Sequence, residues 1–455
     1  MSGNRDSAAT ERPGRRHPRL LVVLVAVQLA ALLVVGVATV ARFHVFAEID
    51  ELAHFAFVNE VADHGRLPVL GRDLVDAEDL AAALGGLPPG GTRPEPPATQ
   101  LARQQYEAFQ PPLYYLVAAP ASAVASSPRG KVFAVRGFDL ALLLVAVGLL
   151  AVLARAVFAR RWLLPFSLGL SVLLWPGVLV RAITVSNAAL ELPLTLAFLL
   201  ACWHAHTRRS ERWLLAAGGL LGLCLLTKLT LAPLGLLLAG AAIPFLRARR
   251  IPAAVGALAA PALLLAPWLA SNLHRYDHLT AGALAKRIQA PLLDPGQPAY
   301  GFADITSRLD RLLSAMVPQE FDGELGRPVL GLLIKLLPLT FVAVALAAAF
   351  LRPRLLRGPE AALLGLPLAL LLGLLVWILV VEDWQSSFLI RYANPAMAPF
   401  ALFAAWAWRE TGRSDRLTTG LAIAASGVVL ATWVVLAGSY YFTDAGAALG
   451  IRAHG

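Results

Sequence analysis

Apolar residues in this chain fall in long runs, not in the alternation of a strand or the stripe of an amphipathic helix. A helix needs about 20 apolar residues to cross the hydrocarbon core of a bilayer. The first such run covers roughly Leu20 to Ala41, and others lie near 137–158, 163–182, 187–206, 212–227, 229–246, 252–272, 329–351, 360–381, 389–409 and 417–440. The pattern predicts an all-α polytopic membrane protein with about 11 transmembrane helices. One more apolar stretch, Leu113 to Ser126, is shorter, follows Pro111 and Pro112, and contains Pro120.

The polar gaps set the orientation. Basic clusters occur at Arg160–Arg161, at Arg208, Arg209 and Arg212, at Arg247, Arg249 and Arg250, from Arg352 to Arg357, and from Arg409 to Arg416. Cytoplasmic loops carry the excess of Lys and Arg. All five clusters fall on the cytoplasmic side if Leu113–Ser126 does not span, and all fall outside if it does. That stretch is therefore expected to lie at the outer interface or to re-enter. The first run follows Arg12, Arg15, Arg16 and Arg19, is long for a signal-peptide core, and has no cleavage site before Phe43. It reads as a signal anchor with a cytoplasmic N-terminus. The expected organisation is a basic tail over 1–19, a membrane domain over 20–441 and an outer tail over 442–455. The membrane domain includes outer loops at 42–136 and 273–328. Interfacial helices are expected in the long first loop, which carries 11 acidic residues.

Composition agrees. Of 455 residues, 58% are hydrophobic and 15% charged, with a mean hydropathy of +0.66. A soluble domain carries about 25% charged residues. The net charge of +10 is accounted for by the cytoplasmic loops, so no nucleic-acid partner is expected. Cys202 and Cys224 lie inside apolar runs and form no disulfide framework or zinc-ribbon spacing. Richness in Ala, Arg, Gly, Leu and Val suits a bacterial plasma (inner) membrane protein.

Two outer segments could carry chemistry. In Glu48-Ile49-Asp50-Glu51-Leu52-Ala53-His54, helical spacing puts Asp50 and His54 on one face, with Glu51 a turn from His54. A carboxylate beside an imidazole can act as a general base or hold a divalent cation. A solvated turn anchoring the loop is the plainer alternative. Three neighbours on one turn rarely all converge, so no obligatory metal or other cofactor is expected. The second segment is Glu107-Ala108-Phe109-Gln110-Pro111-Pro112-Leu113-Tyr114-Tyr115. Its prolines can start a helix, and its tyrosines suit the headgroup region. Elsewhere, Lys228 between two apolar runs and Arg391 after a short outer loop could meet a lipid phosphate, or else snorkel and pair with Glu382 or Asp383. Glu191 and Arg181 flank the same expected outer region. His204 and His206 belong at a cytoplasmic helix end.

These segments, in this order, resemble the GT-C glycosyltransferase superfamily, in the branch with protein O-mannosyltransferases and aminoarabinose transferases. Gly222-Leu223-Cys224-Leu225-Leu226-Thr227-Lys228 is similar to that family's Gly-Leu-x-x-Leu-Thr-Lys segment. Trp268 to Tyr276, with Asn272, resembles its Trp…Arg-Asn…Tyr element, and Arg391-Tyr392-Ala393-Asn394-Pro395 resembles its Arg-Tyr-x-x-Pro element. The resemblance implies transfer of a sugar from a polyprenyl-phosphate donor to a glycan, lipid or protein acceptor on the outer face. It places catalysis on Asp50, with Glu51 beside it, deprotonating or orienting the acceptor hydroxyl. Substrate contacts would come from His54, Gln110, Tyr114, Tyr115, Asn187, Lys228 and Arg391. Two positions depart from the family. Gln110 stands where the aminoarabinose transferases place a lysine, and Asn187 stands at a second acidic position. A transporter or flippase of lipid-linked substrates, or an inactive relative in envelope assembly, are the competing readings.

Overall fold

The computed structural model describes residues 17–46, 48, 50–75, 105–282, 284–285, 328–380, 393–411 and 415–437. Its regular elements among these residues are helices. They are α1 (His17–Arg42), α2 (Glu51–His64), α3 (Leu113–Ala123), α4 (Pro128–Phe158), α5 (Leu163–Leu173), α6 (Pro176–Ile183) and α7 (Ala188–Arg208). Then follow α8 (Glu211–Thr227), α9 (Gly235–Arg247), α10 (Ile251–Tyr276), α11 (Pro328–Leu351), α12 (Leu366–Val380), α13 (Asn394–Glu410) and α14 (Asp415–Leu436).

Where they are described, the apolar runs of the sequence are largely helical, but the runs are not equivalent spans. Among the described residues, six helices are long and apolar enough to cross a membrane, or seven if the bent pair α5–α6 counts as one. The all-helical polytopic architecture is as expected, and among the described residues full-length and shorter apolar helices are mixed, so the count of about 11 spans is not confirmed. The bend between α5 and α6 is 71°. Its cause is Pro176 at the start of α6, which holds Trp175 in an extended conformation. Helix α3 has 11 residues, about 16 Å at 1.5 Å per residue, and packs on α2 and α4 instead of crossing.

Two devices join the helices inside the apolar layer. Gly218 and Gly222 let α8 lie directly on α10. A Cβ on Gly218 would stand 2.2 Å from the Ala257 carbonyl oxygen, and one on Gly222 would stand 2.5 Å from Leu264. Small residues at this spacing are how helices approach closely in lipid, where apolar burial gives no preference for another helix. The second device is polar. The Gln28 amide of α1 donates to the Ser167 carbonyl at 2.9 Å, Ser171 Oγ at 3.0 Å and Ser426 Oγ at 2.9 Å, and accepts from Ser167 Oγ at 2.9 Å. It ties α1, α5 and α14 with no water needed.

A separate apolar core sits where α2, α3 and the start of α4 meet. Phe55, Phe57 and Val58 of α2 pack on Tyr114, Tyr115 and Ala118 of α3 and on Val132 and Val135 of α4. Helix α2 ends at Gly65, whose left-handed φ of 63° closes the helix through its amide to Val61 at 3.0 Å. The Leu70 amide donates to the hydroxyl of Tyr276, at the end of α10, at 3.0 Å, so the segment after α2 meets the end of α10.

Candidate active site

The element 48–54 does not form one helical face. Helix α2 starts at Glu51, and Asp50 precedes it in a left-handed conformation with φ of 67°. That region is sparsely populated by residues other than glycine, with Asn and Asp the usual exceptions. The turn sends the acidic side chains in different directions. Asp50 is partly exposed, and its Oδ1 accepts from the Tyr106 hydroxyl at 2.8 Å. Glu51 turns inward and is 1% exposed. Arg136, fully buried on α4, donates to both its oxygens, at 2.8 and 2.7 Å. The amides of Phe46 and Val185 add bonds at 2.9 and 3.1 Å. With both oxygens held by four donors and out of reach of solvent, Glu51 is an anchor. The sequence expectation gave Glu51 a place beside the catalytic Asp50, and its burial and four donors suit a structural role instead.

His54 points to a third place. Its Nδ1 lies 2.7 Å from the Tyr115 hydroxyl. Tyr115 stacks on Phe57 with ring centres 3.6 Å apart, and the Tyr114 hydroxyl donates to Asp139 at 2.9 Å. Both tyrosines are fully buried. They are not headgroup anchors, and they cannot touch a substrate directly, because α3 packs its tyrosine face against α2 and α4 instead of facing lipid. Burial, with the charges of Glu107, Asp50 and Glu191, holds the Tyr115 hydroxyl well above its ordinary range. It therefore stays a neutral hydrogen-bonding group beside His54.

The structure brings the remaining expected residues together. A cavity of about 30 Å³ is lined by Glu48, His54, Glu107, Gln110, Arg181, Ser186, Asn187, Ala188, Lys228 and Asn394. These come from the end of the α1 linker, α2, the turn before α3, the α6–α7 link, the end of α8 and the start of α13, which are helix ends on one side of the bundle. Asn187 is central. Its amide nitrogen lies 3.4 Å from Gln110 Oε1 and 3.4 Å from the Thr227 carbonyl, and its oxygen accepts from Lys228 Nζ at 3.3 Å. Lys228 also pairs with Glu191 at 2.6 Å. Arg181 Nε donates to Glu48 at 2.9 Å. Arg391 lies outside the described residues.

The wall carries two cations, Arg181 and Lys228, and two carboxylates, Glu48 and Glu107, around a small cavity. Ligand pockets usually exceed about 300 Å³. Sequence reasoning did not single out Arg136, Glu48 or Glu107, and named Arg181 only as flanking the expected outer region. Glu48 and Glu107 lie inside the two quoted outer segments, so their proximity to candidate residues was the available signal. Arg136 stands at the head of an apolar run and reads there as an ordinary flanking charge. Among the described residues, no three His, Cys, Asp or Glu side chains converge as metal ligands.

No protein-family model matches the chain, and no curated protein matches it in sequence. Solved structures do match in shape. ArnT from Cupriavidus metallidurans bound to undecaprenyl phosphate superposes with a TM-score of 0.50, at 15% identity over 92% of this chain and 65% of that one. The apo state of the same protein gives a TM-score of 0.48 at 15% identity, over 92% and 64%. The Archaeoglobus fulgidus oligosaccharyltransferase, in complex with Zn and sulfate, gives 0.40 at 13% identity, over 93% and 53%. The chain spans about two thirds of the length of the ArnT structures it matches. At this identity the likeness is one of architecture: the chain shares the fold of the ArnT structure.

Proposed function

We propose that this protein is an integral membrane glycosyltransferase that moves a sugar from a polyprenyl-phosphate donor to an acceptor hydroxyl on the outer face. The observation that carries the reading is the cavity in which Arg181 and Lys228 flank Asn187, with His54 and Gln110 on the same wall. A ligand with a negative head and a long apolar tail fits a charged cavity at the ends of lipid-facing helices. The fold match supports it, since the ArnT structure it superposes on holds undecaprenyl phosphate.

Arg181 and Lys228 take the donor phosphate, which replaces their present partners Glu48 and Glu191. They supply the positive charge that Gln110 does not. Asp50, partly exposed and held by Tyr106, stays the first acidic residue assigned to the acceptor, to deprotonate or orient it. Glu51 and Arg136 position Asp50 by fixing the first turn of α2. Tyr115 acts through His54. The N-terminus faces the cytoplasm, because the basic helix ends then lie inside.

The test uses the full chain in nanodiscs. Undecaprenyl phosphate binding is measured beside transfer of radiolabelled sugar from lipid-linked donors extracted from bacterial membranes. Loss of one charged hydrogen bond costs about 1.5–3 kcal/mol, so Arg181→Gln and Lys228→Gln each weaken binding about tenfold or more. Asp50→Asn binds and fails to transfer. Binding of the lipid with no transfer by the unmodified chain would replace this reading with a flippase or an inactive relative.

A further inference from the structure

At the end of the bundle away from the candidate active site lie two short links, residues 209–210 between α7 and α8 and residues 248–250 between α9 and α10. Helices α8 and α10 run side by side in the same direction, since Gly218 meets Ala257 and Gly222 meets Pro261 and Leu264. Their first turns are therefore level, and the two links are neighbours. Helix α8 has 17 residues, about 25 Å at 1.5 Å per residue. Just past its far end, the Thr227 carbonyl and Lys228 Nζ meet Asn187 of the cavity. The links thus stand nearly a full hydrocarbon thickness from the cavity, at the headgroup level of the opposite leaflet. Trp213, half-buried in the first turn of α8 with its ring centre 4.8 Å from that of His204, suits this level.

The links and the turns that flank them, residues 204–213 and 245–252, hold six arginines and one acid, Glu211, a net charge of +5. Arg250 clamps them together. Its Nη1 donates to the Arg209 carbonyl at 3.1 Å, and its Nε lies 3.5 Å from Glu211. Arg209 and Arg249 turn the chain at the two links, with left-handed φ of 51° and 60°. Arg208, Arg209, Arg212, Arg247 and Arg249 are all exposed, and among the described residues no ion pair involves them. Like charges gathered on a clamped pair of links repel one another, and an anion that spans both links removes that cost. A guanidinium meets phosphate oxygens in fork geometry. Basic clusters between membrane helices take anionic headgroups.

We propose that the two clamped links form a seat for the phosphate headgroup of an anionic phospholipid, in the leaflet opposite the candidate active site. A lipid with two phosphates, cardiolipin, meets both links at once and is the occupant to which the charge points. The seat is independent of the transferase reading and requires only that the bundle crosses the bilayer.

The test uses the full chain in nanodiscs of phosphatidylcholine with a minor fraction of cardiolipin. Native mass spectrometry counts the cardiolipin that stays on the chain after release into detergent. Arg209→Gln with Arg249→Gln takes one exposed arginine from each link and leaves the Arg250 clamp in place. Arg160→Gln with Arg161→Gln removes the same charge from the link after α4, which carries exposed arginines at the same end of the bundle. The first pair is expected to lower cardiolipin retention about tenfold or more. The second pair is expected to stay within about threefold of the unmodified chain. Unchanged retention in the first pair, or equal losses in both, would overturn the seat and leave a general attraction between a basic helix end and the leaflet. Release of the bound cardiolipin by inorganic phosphate would equally overturn it, since the links would then hold a small anion instead of a lipid.

Discussion

Replacing Arg136 by methionine tests how the acidic turn is held. The guanidinium is fully buried and makes four hydrogen bonds: two to Glu51, one to the Phe43 carbonyl at 2.7 Å and one to the His44 carbonyl at 2.9 Å. Methionine fills most of the volume but leaves the Glu51 charge in an apolar setting with only the Phe46 and Val185 amides. Breaking one side of a buried ion pair costs about 3–5 kcal/mol. Two carbonyls losing a donor push the loss towards the upper end of that range, at about 1–3 kcal/mol for each group left unsatisfied. Removing both charges, in Arg136→Met with Glu51→Leu, takes away the orphaned carboxylate. The double variant is therefore less damaged than the sum of the singles, by about 1–3 kcal/mol of coupling. Unfolding in mixed micelles titrated with dodecyl sulfate, followed by tryptophan fluorescence, measures all four species. A loss below about 1 kcal/mol for Arg136→Met, or single losses that add within about 0.5 kcal/mol, would refute the reasoning. In the same series Glu51→Gln lowers stability and lowers transfer per folded molecule less than Asp50→Asn does, as befits a residue that acts through the turn holding Asp50.

Gly218→Val drives a side chain into the Ala257 carbonyl and prevents α8 from seating on α10, so folded yield collapses. Gly219→Ala meets nothing within 4 Å and leaves the yield unchanged in the same size-exclusion assay. Burial works to raise the Asp73 carboxyl, but the Arg72 side chain, the Val69 amide and the charge of Arg66 outweigh it and hold the group below its ordinary value. A group lowered on folding stabilises above its unfolded value, about 3.9, and loses that contribution as pH falls through the folded value. Asp73→Asn should therefore melt below the unmodified chain at neutral pH, and the two curves should converge only under acid conditions. Curves that converge instead as pH rises would refute the sign.

The helices were legible because each apolar run carries its own signal, and basic clusters at alternate gaps supply an expectation of sidedness. The short α3 was legible too, since its prolines and 11 residues leave no room to span. What the sequence hid were pairings across long separations. Arg136 meets Glu51 over 85 positions, and Tyr115 meets His54 over 61. A tyrosine near an interface looks the same in sequence whether it faces lipid or an inner histidine. Asn187, Gln110 and Lys228 were all foreseen as site residues, and the structure joins them. Their ion-pair partners were harder to see, because a lone charge beside an apolar run fits an interfacial role equally well.

The amide of Gln28 carries a consequence for biogenesis. One of its acceptors, Ser426, lies 398 positions later, in the last described helix. During synthesis α1 enters the bilayer first and must wait while nearly the whole chain is made before α14 arrives. Until then, the two N–H groups and the oxygen of Gln28 are met by Ser167 and Ser171 of α5 alone, so α1 and α5 can pair early without an orphaned amide in the hydrocarbon. Ser426 then joins a pair already formed, and the amide serves as a register mark against which the late helix docks.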